Sequence, residues 1–180
     1  QSLGRNEDAV SKFQFAIENY PEYYYSYLSL VQLIDAGVEV DQLKRGLVDY
    51  NAQQYDVAVE AFDNYIAANP VNDGTSYYYR ALSLDAVGNH ELAVAAYDTF
   101  IANYSSHPNW AEAWGEKAFT QWFYLGLYKN AAQTLLDFVS AVPTSPVAVN
   151  YLMSAARIYE LDNRLDDAAS IPLWITADRF

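Results

Sequence analysis

Two histidines, His90 and His107, are the side chains best suited to proton transfer near neutral pH, and each stands alone. No motif supports Ser-His-Asp catalysis, so both read as surface residues beside turns. Four carboxylates gather at Glu160, Asp162, Asp166 and Asp167. They lack the glycine and ligand spacing of a calcium loop and read as a solvated turn, with no metal expected. The chain has no cysteine, which removes disulfides, thiolate metal sites and a thiol nucleophile. No catalytic residue and no cofactor is expected. Asn103-Tyr104-Ser105 fits the N-glycosylation pattern, a triplet short enough to arise by chance.

What remains for recognition is aromatic. The 17 tyrosines include two runs of three, Tyr23-Tyr24-Tyr25 and Tyr77-Tyr78-Tyr79. Consecutive helical positions point about 100° apart, so no run can turn all its rings to one core. At least one ring per run must be exposed or line a groove. Two uses are open: packing between helices with the hydroxyl in water, or a stacking surface for sugar rings or a peptide.

Charge narrows the partner. The net charge is −13 with only 10 Lys plus Arg, and Lys44-Arg45 is the sole adjacent basic pair. Such a surface repels phosphate backbones and anionic headgroups, which excludes nucleic acid and a membrane surface. No window approaches the roughly 18 apolar residues that direct membrane insertion needs. A basic protein or an uncharged glycan fits better. With 52% apolar and 18% charged residues, the chain has ample material for a packed core. It starts at Gln1 without a signal-like segment, as expected if the N-terminus is processed or trimmed.

The elements that position these residues repeat. Ala9, Ala58, Ala93, Ala131 and Ala168 anchor five copies of one pattern. Four residues on stand Phe13, Phe62, Tyr97, Leu135 and, breaking the pattern, Pro172; seven on, Ala16, Tyr65, Phe100, Phe138 and Ile175. Eight on come Ile17, Ile66, Ile101, Val139 and Thr176; twelve on, Pro21, Pro70, Ser105, Pro143 and Phe180. Offsets 0, 4, 7 and 8 form one helical stripe. The prolines stop each helix, and Gly4, Gln53, Gly88, Gly126 and Asn163 occupy the preceding turn.

Partner helices are predicted over Asp41–Ala52, Thr75–Val87, Asn109–Leu125 and Pro146–Leu161, with Ser145-Pro146 as a helix start. Gly46, Ala81 and Ala156 stand twelve residues before their anchors, and Ala118 is one step off. The anchors lie 49, 35, 38 and 37 residues apart, against a period of about 34 for tetratricopeptide repeats. The long first interval predicts an extra helix at about 22–36, ending at Gly37.

These residues resemble the tetratricopeptide superfamily over nearly the whole chain. The resemblance implies an all-α, right-handed α-solenoid of helix pairs, about ten helices, with one extra inserted helix. The repeats fall at 1–21, 39–72, 73–108, 109–143 and 144–180, as a segment of a longer array. In such arrays the first helix of each pair builds the concave wall, which by phase holds Tyr50, Tyr78, Asp85, Trp122, Arg157 and Glu160. Chaperone-binding members clamp a C-terminal carboxylate with Lys, Asn and Arg there, whereas Leu43, Leu47, Tyr78 and Leu82 occupy these places here. Exposed ends of an array can also stack between molecules, giving self-association.

A narrower resemblance rests on the tyrosines. The stretch Tyr20-Pro21-Glu22-Tyr23-Tyr24-Tyr25-Ser26-Tyr27-Leu28-Ser29-Leu30 is similar to a segment in the helical domain of soluble lytic murein transglycosylases. Leu47-Val48-Asp49-Tyr50, Ala118-Phe119-Thr120-Gln121-Trp122 and Leu136-Asp137-Phe138-Val139 resemble that region too. The resemblance implies an extracytoplasmic, non-catalytic scaffold that positions a peptidoglycan strand or a partner protein beside a catalytic domain elsewhere. The catalytic Glu-Ser motif does not occur in the sequence, so no catalytic residue carries over. A stand-alone protein–protein adaptor is the alternative.

Overall fold

The computed structural model describes residues 2–171, with side chains from Glu7 onward. Among these residues there are ten α-helices and no strand. They fall into two compact units, divided after Asn89.

In the first unit, α1 (Ser2–Asn19) and α2 (Tyr24–Asp35) pack together, followed by α3 (Gln42–Asn51), α4 (Tyr55–Ala68) and α5 (Thr75–Val87). Gly4 lies inside α1 rather than at a turn. The helix expected near 22–36 is present as α2, and its packing explains the long first interval. Ser26, Leu30 and Leu33, at offsets 0, 4 and 7, are buried, whereas Ala9 is only half-buried. The anchored stripe therefore runs on α2, with serine in place of alanine, 32 residues before Ala58. The Ser26 hydroxyl donates to the Tyr20 carbonyl at 2.6 Å and lies 3.1 Å from that of Ala16. That contact satisfies a buried polar group and ties α2 to the end of α1.

In α4 the stripe is Ala58 and Phe62, both fully buried, with Tyr65 and Ile66 half-buried. The Phe62 ring lies over Gly46 of α3, where a Cβ would stand 2.5 Å from a ring carbon. Glycine is the residue that permits this approach. Gln53, in the turn between α3 and α4, takes φ +61°, a left-handed conformation uncommon outside glycine and asparagine. Arg80 of α5 reaches Asp63 of α4 at 2.5 Å.

One buried group in this unit runs against the ordinary pattern. Asp49 of α3 is 3% exposed, and Arg45 is its ion-pair partner at 3.6 Å. That distance is too long for a hydrogen bond, so Arg45 Nε and Asp49 Oδ2 are left without one. Burial lifts the Asp49 carboxyl to about 6, and the Arg45 charge only partly opposes it. The folded state therefore holds this proton more tightly than the unfolded chain. Stability from this group is full below pH 4 and is lost as pH rises through about 6, by ~3 kcal/mol. Asp49→Asn should remove this slope. Denaturant titrations of both proteins at pH 4 and pH 8 test this; an unchanged pH dependence would refute it.

The second unit holds α6 (His90–Asn103), α7 (Trp110–Phe119), a π-helical segment (Thr120–Tyr124), α8 (Tyr128–Ala141), α9 (Ala148–Leu161) and α10 (Leu165–Ser170). Its anchored stripes are well buried: Ala93, Tyr97 and Phe100 on α6, and Ala131, Leu135, Phe138 and Val139 on α8. The aromatic residues at offset 7 are core. Phe138 packs against Trp110, Trp114 and Tyr151 at centroid separations of 5.7, 6.0 and 5.0 Å. In α9 the fully buried small residue is Ala155, and Ala156 is half-buried. That helix starts at Ala148, two residues later than Pro146, with Ser145 Oγ accepting from the Val147 N–H at 3.4 Å. Gly88, Gly126 and Asn163 all have positive φ, as the turn before an anchored helix requires. Pro172, Ile175, Thr176 and Phe180, the rest of the last stripe, lie outside the described residues.

Candidate functional site

The one-step slip at Ala118 has a structural cause. Over Thr120–Tyr124 the helix widens to i→i+5 bonding, with the Leu125 N–H donating to the Thr120 carbonyl at 3.2 Å. A π turn takes in one extra residue, so thirteen positions rather than twelve separate buried Ala118 from Ala131. A buried hydrogen bond pins the segment to α8: Thr134 Oγ1 donates to Gln121 Oε1 at 2.8 Å. The widened turn leaves Phe119, Phe123 and Tyr124 exposed on the surface of the unit. Phe119 and Phe123 stack 4.9 Å apart at 14°.

Beside this segment lies a groove of about 300 Å³ whose lining includes Gly115, Phe119, Trp122, Leu135, Tyr151 and Ser154. Gly115 is structurally required, since a Cβ there would stand 2.6 Å from the Tyr151 hydroxyl oxygen. That hydroxyl donates to the Ala111 carbonyl at 2.9 Å, fixing the ring across the groove. Burial pushes the Tyr151 phenol above its ordinary value, against a backbone contact from Gly115; Glu112 and Glu116 reinforce the burial. Tyr151 is thus a neutral hydrogen-bond donor at physiological pH. A second cavity of about 290 Å³, lined by Met153, Ser154, Ala156, Arg157 and Glu160, meets the first at Ser154.

Three of the six wall residues predicted from phase therefore lie on these cavities: Trp122 on the first, Arg157 and Glu160 on the second. The other three belong to the first unit. Tyr50 is half-buried, edge-on to Tyr55 and Tyr79 at 5.7 and 5.1 Å, and Asp85 is half-buried on α5. Tyr78 is a correction: at 3% exposure it is core and cannot line an open wall. Ala81 and Leu84 follow Tyr78 at spacings of three on the same helix and are buried as well, so the side of α5 carrying Tyr78 turns inward. Phase analysis missed Gly115, Tyr151 and Ser154. The slip at Ala118 was the available signal, because it marks an inserted residue in that helix.

The histidines serve structure. His90 stacks on Tyr124 at 3.9 Å, and His107 Nδ1 accepts from the Asn109 N–H at 3.1 Å. In the acidic turn, Asp167 bonds Arg164 at 2.6 Å, and the Arg164 guanidinium lies 5.4 Å from the Tyr159 ring centre. Among the described residues, no group of three or more His, Asp or Glu is placed to hold a metal ion. None of their helices is long and apolar enough to cross a membrane.

This geometry, paired helices with small residues at the crossings and left-handed turns, defines a tetratricopeptide-like helical solenoid. Residues 43–118 match the family model described as tetratricopeptide repeat. The structure is similar to kinesin light chain-like repeats from Podosopora anserina, with TM-score 0.65 and 18% identity over 96% of this chain and 94% of that one. It is also similar to MamA of AMB-1, with TM-score 0.63 and 18% identity over 92% and 93%. A point variant of the Podosopora repeats gives 0.58 at 18%, over 98% and 88%. At such identity the likeness speaks for the fold. No curated protein matches the sequence.

Proposed function

We propose that this chain is a non-catalytic protein-interaction scaffold, with its ligand groove on the second unit. The observation that carries this reading is the pair of cavities meeting at Ser154. One is floored by Trp122, Phe119 and Tyr151, and the other is edged by Arg157 and Glu160. A few aromatic side chains beside a charged pair is the composition of a peptide site: the apolar pocket supplies affinity and the polar edge fixes orientation. The ligand is a peptide that seats an apolar side chain against Trp122 and lays a polar or charged neighbour along Arg157–Glu160.

The finer context rests on the tyrosine-rich resemblance alone. In it, the chain is the helical repeat region of an extracytoplasmic lytic transglycosylase, holding glycan or a partner beside a catalytic domain elsewhere. A displayed peptide library selected on the whole chain tests the scaffold reading. Ser154→Arg, an exposed change that fills the junction, should weaken selected peptides at least tenfold without moving Tm, and Trp122→Ala should weaken them as strongly while lowering Tm, because its ring also packs against the core. Peptides indifferent to both changes would refute the groove. Retention on purified peptidoglycan, lost in Ser154→Arg, would move the reading to glycan.

A further inference from the structure

The first unit carries a second, separate recognition feature, at the junction of α1 and α2. Phe15, Tyr20, Tyr23, Tyr24 and Tyr25 are all exposed there, Tyr25 by 77%. They are ordered into two ring sets, edge-to-face except for the tilted Tyr24–Tyr27 pair. Phe15 meets Tyr20 at 5.9 Å and Tyr20 meets Tyr23 at 6.0 Å; Tyr24 meets Tyr25 and Tyr27, each at 6.4 Å. None of the five is needed for the core, because α2 buries Ser26, Ser29, Leu30 and Leu33 instead. Five large aromatic side chains gathered in the open at one helix junction form a patch of the kind that marks an interaction site.

Charge identifies the occupant. From Phe13 to Leu43 there is no Lys or Arg, whereas Glu18, Glu22, Asp35, Glu39 and Asp41 all fall in this span. Glu22 stands between Tyr20 and Tyr23 in the chain and is exposed; Glu18, also exposed, lines a cavity with Lys44 instead. Aromatic faces carry negative quadrupole potential, and here the Glu22 carboxylate deepens it, while Lys12, one turn before Phe15, is the nearest cation in the sequence. A second copy of this surface would meet like charge, as would phosphate or an anionic headgroup. We infer that this junction docks an arginine-bearing segment of a partner protein, with guanidinium groups stacked on the tyrosine faces and paired to Glu22. Arginine is specified over lysine because its planar, weakly hydrated cation stacks on a ring while its edge still donates to a carboxylate.

The test uses the whole chain and three synthetic nonapeptides, with arginine, lysine or glutamine alternating with glycine. The arginine peptide should bind at least fivefold more tightly than the lysine peptide, and the glutamine peptide should not bind. The combined change Tyr23→Ser, Tyr24→Ser and Tyr25→Ser should weaken the arginine peptide at least tenfold with Tm unchanged. Glu22→Gln should weaken it about twofold or more. Ser154→Arg should leave it unaffected, so the outcome is independent of the groove on the second unit. Equal binding of arginine and lysine peptides, unmoved by the serine changes, would show only attraction to an acidic surface and would overturn the inference. Loss of dimerisation, or of neutral oligosaccharide binding, in the serine variant with arginine binding intact would overturn it as well.

Discussion

Phe138→Ala should cost about 3–5 kcal/mol, the largest single-site loss expected in this chain. The ring is 1% exposed and is enclosed by Trp110, Trp114 and Tyr151 from two neighbouring helices. Two of those rings are themselves fixed. Trp110 donates its indole N–H to the Ile101 carbonyl at 2.8 Å, and Tyr151 is held by the Ala111 carbonyl. Anchored rings cannot collapse into the space left by the deletion, so the cavity persists and the cost falls at the upper end of the range. Against a total stability of about 5–15 kcal/mol, that is a large share. Thermal denaturation should show a fall in Tm of roughly 8–15 °C at this chain length. A fall of under 3 °C would mean that the aromatic cluster is not the core of the second unit.

Gly46→Ala should lower stability by about 1–3 kcal/mol, although alanine is the better helix former by about 1 kcal/mol. A propensity argument alone predicts the opposite sign, which makes the substitution informative. The added methyl would stand 2.5–2.9 Å from three carbons of the Phe62 ring. Phe62 is fully buried and cannot swing aside, so α3 and α4 must separate. Pairing Gly46→Ala with Phe62→Leu should recover part of the loss, because the smaller side chain gives the methyl room. Stabilisation by Gly46→Ala alone would show that the two helices do not cross at these residues.

Much of this fold is written locally. The anchors Ala58, Ala93 and Ala131 are fully buried, and Gln53, Gly88, Gly126 and Asn163 have positive φ where a turn was expected. These features are legible because each follows from one residue's own geometry. The errors arose where one residue shifts the frame for others. Ser26 replaces alanine in its helix, so α2 reads as an extra helix without an anchor and the first anchor falls on Ala9. The π turn at Thr120–Tyr124 adds a residue inside a helix, and buried Ala118 therefore falls one step outside the count of twelve.

The groove was harder to read than the helices that form it. Phase puts Trp122, Arg157 and Glu160 on one wall, and they line the cavities, but Gly115 and Tyr151 meet across an interval of 36 positions, which no local period encodes. Tyr78 failed for a related reason. Its run of three tyrosines shows that the rings must diverge, but not which of them the neighbouring helices bury. Among Tyr23, Tyr24 and Tyr25 all three stay exposed, whereas Tyr78 is buried between half-buried Tyr77 and Tyr79.

Amide and indole chemical shifts of the whole chain, followed during titration with a library-selected peptide, test the scaffold assignment most directly. The expected result is saturable change centred on Gly115, the Trp122 indole N–H and Ser154, with smaller shifts at Arg157 and Glu160. Saturable change confined to residues outside these two cavities would contradict it.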